Sequence, residues 1–181
     1  MFIYIVCGQD PGGARAHTQL HWDWERATGP VMPELTLQTK LGALRVIQED
    51  DAIAAIAWGQ GKADRTGLLD EAARQLTAYF DHELRDFELP LRPRGDAFQQ
   101  SVCRAMQAIP FGETREYGQL ARDLGSMPQP VGQACGGNSI PVVIPCHRVV
   151  GATGLGGFSA PGGVETKVAL LKHEGAYSLL I

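Results

Sequence analysis

The stretch that decides the fold runs from Ile140 to Val150 and reads IPVVIPCHRVV. Apolar residues and prolines lead up to Cys146, and two valines follow Arg148. A short continuous apolar run bounded by turn residues is typical of a buried strand. The pattern therefore predicts a buried strand and turn that hold Cys146, His147 and Arg148 in fixed positions.

These three polar residues carry the chemistry of the run. A free thiol ionises near pH ~8.5, so at neutral pH it needs a base or a positive neighbour to become a nucleophile. His147 and Arg148 supply both. Adjacent side chains of a strand point to opposite faces, however, so a relay between Cys146 and His147 requires a turn or a bridging water. The alternative is that Cys146 is an ordinary buried small residue, which its polar neighbours disfavour.

Outward from this run, the preceding segment predicts a helix-turn-helix. Asp96 is placed to N-cap a helix that carries apolar residues at helical spacing and ends at Pro110. A second helix is predicted from about Glu116 to Leu124, and a third, rich in small residues, from about Pro130 to Gly136. Two helices joined by a short turn form the helix-turn-helix pattern.

The earlier part of the chain predicts a small α/β domain. Its strands are predicted at Leu35–Thr39, Ala43–Ile47 and Ile53–Trp58, followed by an amphipathic helix from Leu68 to Leu84 and a linker with two prolines. The expected domains are 32–90 and 91–181. Residues 1–31 show no regular periodicity and are interpreted as a doubtful leader, with Met32 as a candidate start.

Charge is unevenly distributed along the chain, whose formal net charge is −4. Residues 1–90 carry 8 Lys and Arg against 14 Asp and Glu, whereas residues 91–181 carry 8 against 6. The weak basic excess of the second half favours modest, salt-sensitive DNA binding, although ordinary surface charge explains it equally well. Four cysteines without paired spacing indicate a reducing compartment. The apolar run Met1–Cys7 is too short for a signal peptide or membrane span, so no membrane partner is expected.

The segment Pro145–Val149 resembles the active-site signature of O6-alkylguanine-DNA alkyltransferases, also called methylated-DNA–protein-cysteine methyltransferases. Further motifs in the family's order extend the likeness over roughly eighty residues; they are Ile109–Thr114, Tyr117–Ala121, Val131–Ala134, Gly156–Ser159 and Leu170–Gly175. The resemblance implies an α+β fold: a small ribonuclease H-like α/β domain, then a mostly helical domain with a winged-helix-like helix-turn-helix. It implies DNA repair by irreversible, stoichiometric transfer of the alkyl group from O6-alkylguanine, and more weakly O4-alkylthymine, to the protein's own cysteine.

The resemblance also implies a role for each matching residue. Cys146 is the nucleophile and permanent acceptor, Glu174 orients His147, and His147 takes the thiol proton through a water. Asn138 braces the turn that carries Cys146. The residues expected to bind the substrate are Tyr117, Val149, Gly157, Phe158 and Ser159. Those expected to bind DNA are Gln129, Val131, Gly132, Gln133, Ala134 and Arg148, with a structural ion pair as the favoured alternative for Arg148.

Two residues depart from the family's pattern. Gln129 stands where relatives usually carry an arginine that fills the gap left by the flipped nucleotide, and Phe158 stands where some relatives have tyrosine. Some relatives also hold a structural zinc, but the scattered Cys7, His17, His21 and His82 do not match those positions. We therefore expect no metal and no cofactor.

The expected partner is double-stranded DNA that contains O6-alkylguanine, bound through the minor groove by a monomer. The expected location is cytoplasmic and nucleoid-associated, or nuclear in a eukaryote. Two alternatives remain open at this point. One is a non-enzymatic, alkyltransferase-like protein that binds lesions, although such relatives replace the cysteine. The other is a thiol hydrolase that uses Cys146 and His147 and turns over ester or amide substrates.

Overall fold

The computed structural model describes residues 32–176. The expected leader at residues 1–31 lies outside the described residues. The first described elements form an antiparallel sheet in the order β1-β2-β3, with bounds β1 Glu34–Thr39, β2 Gly42–Glu49 and β3 Ala52–Trp58. All three strands occur where the alternation of apolar residues predicts them, within two residues at each end.

The helix α1, Gly67–Phe80, covers this sheet. The side chain of Thr66 caps it by accepting the backbone N–H of Leu69 at 3.1 Å. The prediction that the helix continues to Leu84 is wrong. His82 adopts a left-handed φ of 63°, and the N–H groups of His82 and Glu83 donate back to the carbonyls of Tyr79 and Ala78. This is a Schellman closure, which ends the helix although apolar residues continue beyond it.

The later part of the chain is mostly helical. Its elements are α2 Ala97–Gln107, β4 Arg115–Glu116, α3 Tyr117–Asp123, α4 Pro128–Gly136, β5 Val149–Val150 and α5 Val164–His173. The predicted cap at Asp96 is confirmed, because its carboxylate accepts the N–H of Gln99 at 2.8 Å. The helices α3 and α4 pack against each other as the predicted helix-turn-helix. Helix α4 begins at Pro128 rather than Pro130, since proline is compatible with the first turn of a helix.

The segment Ile140–Val150 is folded differently from the prediction. Residues 140–145 form turns instead of a strand, Cys146–Arg148 form one turn of 3-10 helix, and only Val149–Val150 pair, in parallel with β4. Burial alone does not distinguish a strand from a tightly folded turn, because both bury a continuous apolar run.

The sheet and the helices share one α+β core. Backbone hydrogen bonds join them, since the N–H of Ile56 donates to the Ser139 carbonyl at 2.8 Å and the N–H of Ile53 donates to the Pro90 carbonyl at 2.8 Å. The predicted linker is therefore tied to β3 rather than free. Within residues 32–176, no helix has the length and apolar character needed to cross a membrane.

Candidate active site

The turn that carries Cys146 is held by Asn138. The Asn138 amide donates through Nδ2 to the carbonyl of Ile144 at 2.8 Å, and its Oδ1 accepts the N–H of Ile140 at 3.0 Å. Between them, Val142 has a φ of 74°, which is costly for a β-branched residue and persists only where the surroundings fix it. Asn138 thus lies where the bracing role implied by the resemblance requires it.

The 3-10 turn separates the three reactive side chains. Three residues per turn place neighbouring side chains about 120° apart instead of on opposite faces. Cys146 remains 8% exposed, whereas His147 is fully buried and Arg148 is 4% exposed. The turn therefore directs the thiol towards the surface and its two neighbours inward.

Inside the protein, His147 is bonded to Glu174. Their atoms Nε2 and Oε1 lie 2.8 Å apart. An ionised carboxylate can only accept, so Nε2 carries the proton and Nδ1 presents its lone pair. Nδ1 is buried and has no hydrogen-bond partner within the described part of the chain. Burial lowers the pKa of His147, although the hydrogen bond and charge of Glu174 oppose this. The neutral imidazole is thus poised to accept a proton at Nδ1.

Arg148 and Glu174 form a buried ion pair. The guanidinium donates through Nε to Oε2 at 2.8 Å and through Nη2 to Oε1 at 2.9 Å, and Nη1 donates to the Ile109 carbonyl. Burial alone would raise the pKa of Glu174, but the hydrogen bonds and charges of His147 and Arg148 outweigh it and hold the pKa well below its usual range. The structural ion pair favoured for Arg148 is observed, and the guanidinium is buried in it; DNA binding by Arg148 stays a prediction.

The thiol opens into a cavity of about 450 Å³. The residues that line it are Tyr117, Gly132, Cys135, Gly136, Cys146, Gly157, Phe158 and Ser159. Four of the five residues expected to bind the substrate are among them. Gly156 lets the loop approach the ring of Tyr117, since a Cβ there would lie 2.9 Å from Cε2 of Tyr117 and its φ is 70°.

The fifth expected substrate residue, Val149, is fully buried, and its carbonyl is already engaged. The Nζ of Lys167 donates to the carbonyls of Val149 at 2.6 Å, Leu155 at 2.5 Å and Gly157 at 3.4 Å. Lys167 was missed by the reasoning from sequence. Its position three and four residues before the buried Leu170 and Leu171 puts a lysine on the apolar stripe of α5, which is the signal that would have identified it.

Lys167 also determines the electrostatics of the cavity. Burial lowers the pKa of Lys167 to about 8, with Cys146 and Cys135 opposing the shift. Burial raises the pKa of the Cys146 thiol, but the Asn138 hydrogen bond and the charge of Lys167 act against that increase. The thiol is therefore protonated at rest and depends on its neighbours for activation.

The residues of α4 that are expected to bind DNA differ in their exposure to solvent. Gln129 and Gln133 are exposed and Gly132 is half-buried. The side chains of Val131 and Ala134 are 0% and 6% exposed and pack into the core, so their place in the DNA-binding helix stays a prediction. Met127, which precedes α4, is 71% exposed.

No group of three His, Cys, Asp or Glu side chains among residues 32–176 is placed to hold a metal ion. Of the histidines and the cysteine considered for zinc, Cys7, His17 and His21 lie outside the described residues. The ring of His82 stacks on that of His173 with centroids 4.0 Å apart.

Two family models match the chain. The model described as 6-O-methylguanine DNA methyltransferase, ribonuclease-like domain, matches residues 34–93, and the model described as 6-O-methylguanine DNA methyltransferase, DNA binding domain, matches residues 97–176. A methylated-DNA–protein-cysteine methyltransferase of Methanosarcina acetivorans is 47% identical over 151 residues, which cover 77% of this chain and 96% of the relative.

Solved structures give the same result. The O6-methylguanine methyltransferase of Mycobacterium tuberculosis superposes with a TM-score of 0.72 at 35% identity, covering 81% of this chain and 94% of that chain. Mycobacterium tuberculosis OGT in complex with DNA superposes with a TM-score of 0.72 at 36% identity, covering 80% of this chain and 93% of that chain.

Proposed function

The chain belongs to the methylated-DNA–protein-cysteine methyltransferase family and repairs DNA by alkyl transfer to a cysteine; from this premise we propose that Cys146 is the acceptor and O6-alkylguanine in duplex DNA the substrate. The observation that carries the proposal is that one thiol opens into a cavity, lies on a braced turn and is followed in the chain by an oriented base. The amide of Asn138 and the charge of Lys167 both favour the Cys146 thiolate, and the unpartnered Nδ1 belongs to His147, the next residue in the chain. Neither of the other two described free cysteines, Cys103 and Cys135, is adjacent in sequence to such a base.

The reaction begins with the thiol proton. His147 accepts it at Nδ1 through a water, and Glu174 stabilises the imidazolium, as in other base-and-carboxylate relays. The thiolate sulfur then attacks the alkyl carbon. The S–C bond forms as the C–O6 bond breaks, and the electron pair of the broken bond remains on guanine. The guanine gains one proton for the one that Cys146 loses, so the charge balances.

Tyr117 is suited to assist the leaving guanine. Burial, together with the nearby Cys135 and Cys146 thiols, raises the pKa of Tyr117 to about 12, so its hydroxyl stays protonated and can donate a hydrogen bond at neutral pH. Ser159 supplies a second hydroxyl at the cavity wall, towards O6. The product is a thioether, and no cavity residue is arranged to hydrolyse it. Each protein molecule therefore reacts once.

The depth of the cavity requires extrusion of the base. The O6 substituent of a stacked guanine cannot reach a thiol that is 8% exposed, so the nucleotide must rotate out of the duplex. We place α4 in the minor groove, where the exposed Gln129 and Gln133 face the DNA and Gly136 and Gly137 allow close approach.

A monomer suffices, since all proposed groups come from one chain. We place the reaction in a reducing cytoplasmic compartment at the nucleoid, because three described thiols are unpaired.

The test is direct. The protein is incubated with a duplex that contains O6-methylguanine, and the Cys146 peptide is examined by mass spectrometry. We expect a methyl group on Cys146, one lesion repaired per molecule, and complete loss of transfer with retained DNA binding in Cys146→Ala. Cys103→Ala is the matched control, because it removes a buried thiol that does not line the cavity. Several lesions repaired per molecule would contradict the single-turnover mechanism, turnover of ester or amide substrates would favour the hydrolase, and lesion binding without methylation would favour the alkyltransferase-like alternative.

A further inference from the structure

A hydroxyl group from the first part of the chain enters the relay. Tyr79 lies on α1, which covers the sheet, and its Oη donates to Oε1 of Glu174 at 2.7 Å, across 95 residues of sequence. Both side chains are buried, with Tyr79 at 0% and Glu174 at 5% exposure. The same Oε1 accepts from His147 at 2.8 Å and from Arg148 at 2.9 Å.

Glu174 has more donors than it can satisfy equally. A carboxylate offers about four lone-pair sites, whereas five N–H or O–H groups point at Glu174. They are Tyr79 Oη, His147 Nε2, Nε and Nη2 of Arg148, and the Gly112 N–H at 3.4 Å. Because Tyr79 and His147 share one oxygen, a change in one bond alters the other.

Packing by itself does not explain the hydroxyl. The ring of Tyr79 packs against four other rings. The distances between the ring centroids are 5.2 Å to Phe80, 5.3 Å to Phe87, 6.0 Å to Phe111 and 4.9 Å to His173. A phenylalanine would make the same ring contacts. The tyrosine hydroxyl adds a hydrogen bond to the relay carboxylate and to no other described group.

We propose that Tyr79 is a positioning residue for alkyl transfer: its hydroxyl fixes Oε1 of Glu174 and thereby sets the orientation and basicity of His147. The inference rests on the proposed function. The hydroxyl satisfies part of the carboxylate charge and so weakens the attraction of Glu174 for the His147 proton. The other charged groups that face His147 are Arg148 and Lys167, and both favour its neutral form. Tyr79 therefore acts in the same direction as these two cations.

Removal of the hydroxyl has a defined consequence. In Tyr79→Phe, Oε1 loses a donor, the carboxylate attracts the imidazole proton more strongly, and the pKa of His147 rises. Since the neutral imidazole is the reactive form, the acidic limb of the pH–rate profile moves to higher pH. A hydrogen bond to a charged group corresponds to a shift of roughly half to one pH unit when it is shared among partners.

The experiment uses the full chain and free O6-benzylguanine, which needs no base flipping. Single-turnover benzylation of Cys146 is measured between about pH 5 and about pH 9 for the wild type, Tyr79→Phe and Thr66→Val. Thr66→Val is the matched control, because it removes a hydroxyl that caps the same helix and does not touch the relay. We expect the acidic midpoint to move upward in Tyr79→Phe alone, with a severalfold lower rate on the acidic limb, below neutral pH, and a much smaller change near pH ~8.

The outcomes separate the two proposals. If the wild type is not benzylated at Cys146, the proposed function fails and this inference fails with it. If the wild type reacts and Tyr79→Phe keeps its midpoint, Tyr79 is an aromatic packing residue and the positioning role is wrong. If Tyr79→Phe is too unstable for kinetics, NMR titration of the His147 imidazole under folded conditions, at low temperature, decides. An unchanged His147 pKa overturns the inference, and a raised one supports it.

Discussion

The helical region from residue 97 onward supplies the thiol, the base and the carboxylate of the proposed relay, whereas the sheet and helix of residues 34–80 supply one hydroxyl and one aromatic side chain that packs behind the cavity. Tyr79 reaches Glu174, and Trp58 on β3 packs edge-on against Phe158 of the cavity with centroids 6.2 Å apart. The first region therefore contacts the site through side chains that hold Glu174 and Phe158 in position. In the mechanism proposed above, the reactive residues of the site therefore come from one part of the chain and the positioning residue from another.

The largest expected effect comes from separating the two regions. We propose that the functional division lies between residues 32–90 and 91–181, with the reactive groups in the second. A fragment that begins at Leu91 lacks Tyr79 and the hydrogen bonds of Ile53 and Ile56 to Pro90 and Ser139. We expect it to benzylate Cys146 from free O6-benzylguanine roughly 100-fold more slowly than the full chain, about 2.7 kcal/mol in activation free energy.

Two controls sharpen this experiment. Circular dichroism establishes that the fragment is folded under the assay conditions. The fragment 32–90 is then added in trans, and we expect it to restore part of the rate, whereas the same fragment with Tyr79→Phe should restore less. A folded fragment that reacts at the full rate would show that the first region contributes nothing to the chemistry.

Site residues were predictable from the sequence where they are neighbours in the chain or belong to a motif. Cys146, His147 and Arg148 are adjacent in sequence, and Asn138 and Glu174 belong to ordered motifs, so the sequence identifies them. Helix caps such as Asp96 are local and were predicted correctly.

The missed features depend on distant contacts or on local closure. At its position, Tyr79 looks like one more core aromatic of an amphipathic helix, because the partner of its hydroxyl lies 95 residues away. The carbonyls that satisfy Lys167 are brought together by folding, so a buried lysine was not expected. The turns at residues 140–145 and the early end of α1 at Phe80 depend on the left-handed residues Val142 and His82; valine is an outlier in that region, and histidine, although enriched there, adopts it less readily than glycine.

A smaller effect is expected at Lys167, within the second region. Its ammonium group favours the thiolate of Cys146 while it is charged, which holds below its pKa of about 8. We expect Lys167→Met to react roughly tenfold more slowly at neutral pH, since a unit charge near the thiol contributes about 1.4 kcal/mol at an effective dielectric constant near 20. The difference should narrow above pH ~9, where the wild-type lysine is neutral as well.

The free energy of unfolding should also depend on the titration of the Lys167 ammonium group. The folded pKa of Lys167, about 8, lies below the unfolded value near 10.4, so the unfolded state binds more protons between these values. This group therefore makes the unfolding free energy rise with pH across that window. Lys167→Met should remove this contribution, which would be measured as a difference in unfolding free energy between wild type and variant that grows with pH across the window, whereas Lys172→Met, which changes an exposed lysine of α5, should retain it. For the transfer reaction, a ratio of wild-type to Lys167→Met rates that does not change with pH would assign Lys167 a purely structural role.

The smallest effect is expected at the DNA surface, where Gln129 takes the place of the usual arginine. Gln129 is exposed near the start of α4, beside Met127, which is 71% exposed. Extrusion of a base costs a few kcal/mol, and a guanidinium that reaches the phosphates and the unpaired base recovers part of it. We expect Gln129→Arg to quicken repair of O6-methylguanine in duplex DNA roughly threefold to tenfold, about 1 kcal/mol. The rate with free O6-benzylguanine should stay unchanged, because that substrate is already outside a stack.

If both rates change together, Gln129 acts through the cavity or through stability, and its role in extrusion is wrong. If neither changes while Met127→Ala slows duplex repair alone, the apolar side chain of Met127 fills the gap in the stack, as apolar wedges do in other minor-groove complexes.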